Sequence, residues 1–214
     1  MYALVGAVVA LLHDQSRLHI YENGVGAINL TYRGAVGLDH SRSVHPLLLL
    51  GLSRFLSDYL NRPFAIENPF LFTTKAQMLE GLDEGLIGAT ASCDSPLRSS
   101  VAQCGSCSSC VLRRQSIAAA GLRDGTTYAV SRTAPASLDT LAHAQAMSDQ
   151  AHEIGFALAS GHSSDESWEM LARTYPDLDD IVDRVEPADN VRAASMRKKL
   201  LALYRRHVAD WDAA

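Results

Sequence analysis

Cysteine is missing from this 214-residue chain except in one short stretch, and two other things are missing throughout: an apolar run of membrane length and a surplus of positive charge. The first apolar run, Ala3 to Leu12, falls short of the roughly 20 residues a membrane helix needs. It also lacks the positive flank of a signal peptide, so it reads as a buried helix, and the cytoplasm is the expected location. A net charge of -5 and a sequence pI near 5.9 weigh against a general nucleic-acid binder, while leaving room for a local basic patch. There is no internal repeat and no low-complexity segment. What is present is ordinary for a globular protein with a substantial core: 47% apolar and 20% charged residues, enough for one large domain or one and a half.

The cysteines are the most informative feature. Cys93, Cys104, Cys107 and Cys110 all fall within 18 residues, and the last three read C-G-S-C-S-S-C. Two overlapping C-x-x-C steps plus one upstream Cys supply the four thiolates that zinc takes at tetrahedral corners, about 2.3 Å away. Four protein ligands leave no position for water, so such a site is structural. Its formal charge of about minus two calls for N–H donors and nearby cations, which Gly105, the small serines 106, 108 and 109, and Arg113 and Arg114 are placed to supply. Two disulfides are the alternative, and would need an oxidising compartment. A [4Fe–4S] cluster is another, but ferredoxin-type motifs continue with a fourth Cys downstream, where this chain reads V-L-R-R-Q.

Along the chain, Leu18 to Tyr21 is a short strand candidate running into Glu22-Asn23-Gly24, either a ligand-presenting tip or a plain turn. Leu49, Leu52, Leu56, Tyr59 and Leu60 recur at helical spacing behind His45-Pro46. Phe64 to Ile66 reads as a second strand and Glu67 to Phe70 as a turn. Thr73-Thr74 then caps a helix whose first turn carries Lys75, against the dipole preference, which hints at a facing anion. Val111 to Ala120 is helical with Gly121 as its stop, and Thr126 to Val130 is a strand candidate. Ser131 to Ser137 reads as a linker. Beyond it, Leu138–Ala159, Glu166–Tyr175 and Asp189–Trp211 are helical, punctuated by Pro176 and Pro187. The last carries Met196, Leu200, Leu203, Tyr204, His207 and Trp211 on one face. The acidic stretch from Asp177 to Glu186 reads as solvated, or as pairing with that helix's basic residues.

In this order the pieces I-Y-E-N-G-V-G-A-I-N-L (20–30), R-S-V-H-P (42–46), E-N-P-F with T-T-K-A-Q-M (67–78), A-T-A-S-C (89–93), the cysteine segment with its A-A-G-L continuation (103–122), and D-G-T-T-Y (124–128) resemble the 7-cyano-7-deazaguanine synthase (QueC) family of PP-loop ATP pyrophosphatases. They look closest to the synthase-like proteins of bacterial antiphage defence operons. The resemblance implies a helix-rich α/β fold, the C-terminal part of an adenine-nucleotide alpha-hydrolase-like domain over residues 1–135, with a helical extension over 136–214. It implies a chemistry in which ATP, with Mg2+, activates the carboxylate of a 7-deazaguanine for conversion to amide and nitrile. It carries structural zinc to the four cysteines, nucleotide phosphate to Lys75, and the base pocket to Glu22, Asn23 and Gly24. Arg42 and His45 fall in the neighbourhood of the site, with His45 equally readable as a helix N-terminal residue. No catalytic residue is implied.

One departure is large. The S-G-G-x-D-S phosphate loop of PP-loop enzymes is absent from this sequence. The expectation is a truncated chain or one whose ATP-binding half comes from a second polypeptide, inactive alone, with an open strand edge and an apolar face to be covered by a partner or a second copy. A competing reading is a non-catalytic zinc-stabilised interaction module of a defence or modification complex. The weakest is a nucleic-acid binder using Arg98, Arg113, Arg114 and Arg123, because no aromatics interleave them.

Overall fold

The structure is a computed structural model that describes residues 2–32, 42–93, 103–129, 138–185 and 190–214. Arg98, Pro187 and the linker read at Ser131 to Ser137 lie outside them. The described chain is helix-rich α/β. In order it runs α1 Tyr2–Leu12, β1 Arg17–His19, α2 Gly24–Ile28, α3 Pro46–Leu60, β2 Ala65–Glu67, α4 Lys75–Leu79, α5 Glu84–Ala89, α6 Ser108–Ala119, α7 Leu138–Ala159, α8 Ser164–Thr174, α9 Asp177–Val185 and α10 Asn190–Asp212.

β1 and β2 pair in parallel, with Leu18 opposite Ile66. Their flank is a small core in which Ala3, Ala7, Leu49, Leu56, Phe64 and Ile66 are buried. α3 starts as its sequence requires, with His45 at the N-cap and Pro46 in the first turn, and stops at left-handed Asn61. It also meets the far edge of β2. Ser53 Oγ accepts from Ile66 N at 2.8 Å, and Ser57 Oγ accepts from Phe64 N at 2.9 Å and donates to Phe64 O at 3.1 Å. Side-chain hydroxyls thus satisfy backbone groups that a third strand would otherwise take, so this edge of β2 is covered by α3.

α1 is helical as read but is not buried. Only Ala3 and Ala7 lie inside, against β1, while Tyr2, Val5, Val8, Val9 and Leu12 are more than half exposed. Apolar residues run all round this helix, and β1 has room to cover one narrow side of it. The strand read at Thr126 to Val130 is, among the described residues, a single parallel bridge between Gln103 and Tyr128.

A larger core gathers α7, α8, α9 and α10 around Ile154, Leu171, Leu178, Ile181, Leu200 and Tyr204. Val25, Ile28 and Leu30 from α2 and the residues after it belong to the same core, so the helical extension packs directly on the segment behind the Glu22–Gly24 tip. α9 carries the acidic stretch, and of its two readings the solvated face is the one that holds, with Asp179, Asp180 and Asp183 exposed. Leu178, Ile181 and Val182 are buried at helical spacing, and its acids occupy the outer face. Asp177 pairs with Arg42, not with a basic residue of α10. No helix among the described residues is long and apolar enough to cross a membrane.

Candidate metal centre and adjoining cleft

The four cysteine sulfurs lie within 4.8 Å of one another, with Cys104 and Cys110 buried and Cys93 and Cys107 half-buried. All four are free thiols, so the disulfide alternative is not what this geometry holds. Sulfurs about 2.3 Å from a central ion stand about 3.8 Å apart along a tetrahedron edge. Cys104 Sγ and Cys110 Sγ are 3.8 Å apart. The set fits a divalent metal ion such as zinc.

Local sequence explains how the loop closes. Gly105 adopts φ 80°, a left-handed turn that glycine makes without strain. This turn aims the N–H groups of Ser106 and Cys107 at Cys104 Sγ, at 3.4 and 3.3 Å, while Cys104 N donates to Cys93 Sγ at 3.4 Å. Burial opposes ionisation of Cys104, but those donors outweigh it and bring its pKa down to about 6. Cys110 lacks that excess of donors, and burial pushes its thiol up.

Cys93 is held from outside the loop. Gln103 accepts from Ser92 N at 2.9 Å and donates to Thr90 O at 3.1 Å. Arg113, buried at 4% exposure, donates to Thr90 Oγ1 at 2.7 Å, Ile87 O at 2.5 Å and Thr126 Oγ1 at 2.9 Å. Arg113 is therefore a strut between α5, α6 and the approach to Cys93. Arg114 is the member of the pair that touches the cysteine loop, donating to Gly105 O at 3.4 Å with its guanidinium over Tyr128. Arg123 pairs with Glu84.

Beside the cysteines opens a cleft of about 580 Å³, within the roughly 300–1,000 Å³ range of small-molecule sites. Glu22, Asn23 and Gly26 line it from the strand tip and α2, and Lys75 from the first turn of α4. Cys107, Ser108, Ser109 and Leu112 line it from the start of α6. His143, Met147 and Gln150 of α7 and His207 and Trp211 of α10 line it from the helical extension. Val25, Asn29, Tyr32, Ser43 and Val44 complete it.

The sequence-derived site residues distribute unevenly over this geometry. Glu22, Asn23 and Lys75 reach the cleft. Asn23 caps α2 by accepting from Gly26 N at 2.9 Å, and its own N–H and carboxamide donate to Glu22 Oε1 at 2.9 and 2.5 Å. Asn68, from E-N-P-F, donates to Glu22 O at 2.8 Å, so two separated motifs brace each other. Thr74 caps α4 in a reciprocal capping box with Gln77, which sets Lys75 at the cleft. Gly24 faces away. Its N–H donates to Thr73 O at 2.9 Å, and a Cβ there would lie 1.9 Å from Leu71 O. Arg42 is engaged with Asp177. His45 is buried as the α3 N-cap, its Nδ1 accepting from Leu47 N at 3.3 Å, with burial and then Arg42 lowering its pKa. Its neighbours Ser43 and Val44 line the cleft instead.

Sequence reasoning missed the wall from the extension. His207 and Trp211 stand one turn apart on α10, and His143, Met147 and Gln150 follow the same spacing on α7. The polar residues among these, set on otherwise apolar faces, were the available signal. α2 was also missed, being five residues with two glycines.

A family model described as "Queuosine biosynthesis protein QueC" matches residues 47–121, from the first turn of α3 to the end of α6, including all four cysteines and Lys75. No curated protein and no solved structure matches the chain. The resemblance carried by the motifs within residues 47–121 is thus supported by an independent comparison, and over those residues the chain is similar to the QueC family.

Proposed function

We propose that this chain is the zinc-bearing part of a 7-cyano-7-deazaguanine synthase-like enzyme, or of a related modification system in phage defence, acting in the cytoplasm on a 7-deazaguanine-type carboxylate. One observation carries the reading. The strand tip, Lys75 and the start of α6 next to the cysteine loop come from separate motifs, two of them inside the QueC-like segment, and converge on a single cleft. Zinc held by Cys93, Cys104, Cys107 and Cys110 is structural, and its work is to fix the loop that presents Ser108 and Ser109. Lys75 supplies the positive charge suited to a carboxylate or phosphate, and the Glu22–Asn23 tip supplies polar groups for a base edge. ATP, when bound, supplies activation of the carboxylate. Its phosphate loop lies outside this sequence, which contains no S-G-G-x-D-S.

The experiment is reconstitution. The chain is mixed with the product of an adjoining reading frame that encodes S-G-G-x-D-S, and AMP release is followed with and without a 7-deazaguanine carboxylate. Acid-dependent AMP release supports the reading, and Lys75→Ala should weaken nucleotide or acid binding while leaving the fold intact.

A second reading, a zinc-stabilised interaction module without catalysis, is favoured by the exposed apolar side of α1, where Val5, Val8, Val9 and Leu12 face solvent. That side suits the missing half or a second copy of the chain. A stable complex that releases no AMP with any plausible acid would favour this module over the enzyme.

A further inference from the structure

Part of the cleft lining comes from helices outside the QueC-like segment. α10 brings His207 and Trp211 to it, and α7 brings Met147 and Gln150. Two contacts hold α10 there. Thr74 Oγ1 donates to buried Asp210 at 2.6 Å, tying α10 to the cap of α4. Leu203 packs against Gly24, where an added Cβ would come within 2.8 Å of its Cδ2. The extension is therefore fixed at the cleft by the same residues that place Lys75 and the strand tip.

His207 stands out on this wall. It is 5% exposed and lines the cleft, and its ring nitrogens, with no hydrogen bond to a described residue, are not among the fully buried atoms and so stay open to the cleft. Its ring meets Trp211 edge to face, with centroids 6.4 Å apart. Beside it Trp211 Nε1 is buried without a partner, a state that is costly unless a ligand or water completes it. Gln150, by contrast, is committed, its Nε2 donating to Leu30 O and Thr31 O at 3.0 and 3.2 Å.

We infer that the helical extension is a recognition wall, on which His207 hydrogen-bonds the uncharged edge of a planar nitrogen heterocycle that packs against Trp211. This rests on reading the cleft as a base site and assigns the residues that would meet the base. Burial, only partly opposed by Asp210, lowers the His207 pKa to about 4, so the imidazole is neutral near pH 7 and offers one donor and one acceptor without charge. That suits the amide-like edge of a 7-deazaguanine better than its carboxylate, which falls to Lys75. Apolar Met147 and Leu112 suit the faces of such a ring.

The test uses the full zinc-loaded chain and two probes, 7-deazaguanine and its 7-carboxylate, with binding read by calorimetry. His207→Phe should weaken both probes by roughly tenfold, the loss expected for one buried hydrogen bond, and His207→Gln by less. Lys75→Ala should weaken the carboxylate alone. In the unmodified chain, ligand should slow amide hydrogen exchange over residues 203–212, a readout that needs no variant to fold. Unchanged affinity in His207→Phe, or ligand binding that leaves exchange in α10 unaltered, overturns the recognition wall while the base site stands. If the unmodified chain binds neither probe, the base-site reading fails and this inference falls with it.

Discussion

Thr74 and Asp210 lie 136 residues apart in sequence, yet the Thr74 hydroxyl donates to the Asp210 carboxylate at 2.6 Å in a buried contact. The same carboxylate accepts from Arg206 at 2.8 Å, and Arg206 reaches Glu80 at 3.1 Å. One threonine thus caps α4 for Lys75 and anchors α10 for His207. Thr74→Ala should lose a cap and a hydrogen bond to a charged group, a cost of about 3 kcal/mol. Urea unfolding of Thr74→Ala, Asp210→Ala and the double variant should give strongly non-additive losses, with coupling above about 0.5 kcal/mol. Additive losses would mean that the two helices are not linked through this contact.

Gly24 and Gly51 should respond oppositely to the same change. A Cβ at Gly24 would sit 1.9 Å from Leu71 O, which is backbone and cannot swing aside, so Gly24→Ala should cost about 3 kcal/mol, at the upper end for overpacking. Gly51, exposed in the middle of α3, has nothing within 4 Å of that position. Gly51→Ala should stabilise by about 0.5–1 kcal/mol through helix propensity. Thermal unfolding of both variants checks the pair.

His207 also predicts a pH dependence. Its folded pKa is lowered to about 4 from the ordinary value near 6.5, so between these values the unfolded chain takes up a proton that the folded chain refuses. Its contribution to stability is therefore lost as pH falls from about 6.5 toward 4, and is level above that window. His207→Phe removes this component, so its stability should fall less steeply than that of the unmodified chain over the same window. Parallel pH profiles would show that His207 is not held neutral by its surroundings.

Much of the site was legible because its chemistry is local. The overlapping C-x-x-C steps keep Cys104, Cys107 and Cys110 close together at the start of α6, and Thr74 with Gln77 spells a cap that puts Lys75 at a helix start. The contacts of Arg113, read from its place after the cysteines, and of Arg42, placed by the resemblance, come from afar. Arg113 is a buried strut because Ile87, Thr90 and Thr126 surround it, and Arg42 is paired because α9 brings Asp177 to it. Neither encounter follows from spacing. Likewise α10 showed a clear apolar face, but whether His207 on that face met core or cleft depended on how α10 crosses α4 and α6. α1 was misread for burial since an apolar run records what a helix could cover, not how much neighbouring chain is there to cover it.

Metal content is the most direct check of the central claim, that the four thiols of Cys93, Cys104, Cys107 and Cys110 grip a single divalent ion and thereby shape the cleft wall at Cys107 to Ser109. Native mass spectrometry of the purified chain, with elemental analysis, should find one zinc per chain, no disulfide, and no brown chromophore. Cys107→Ser should lose the ion and much of the stability, because metal binding of this kind contributes directly to folding. A metal-free folded chain, cysteines bonded to one another, or an iron–sulfur absorption near 400 nm would contradict the account.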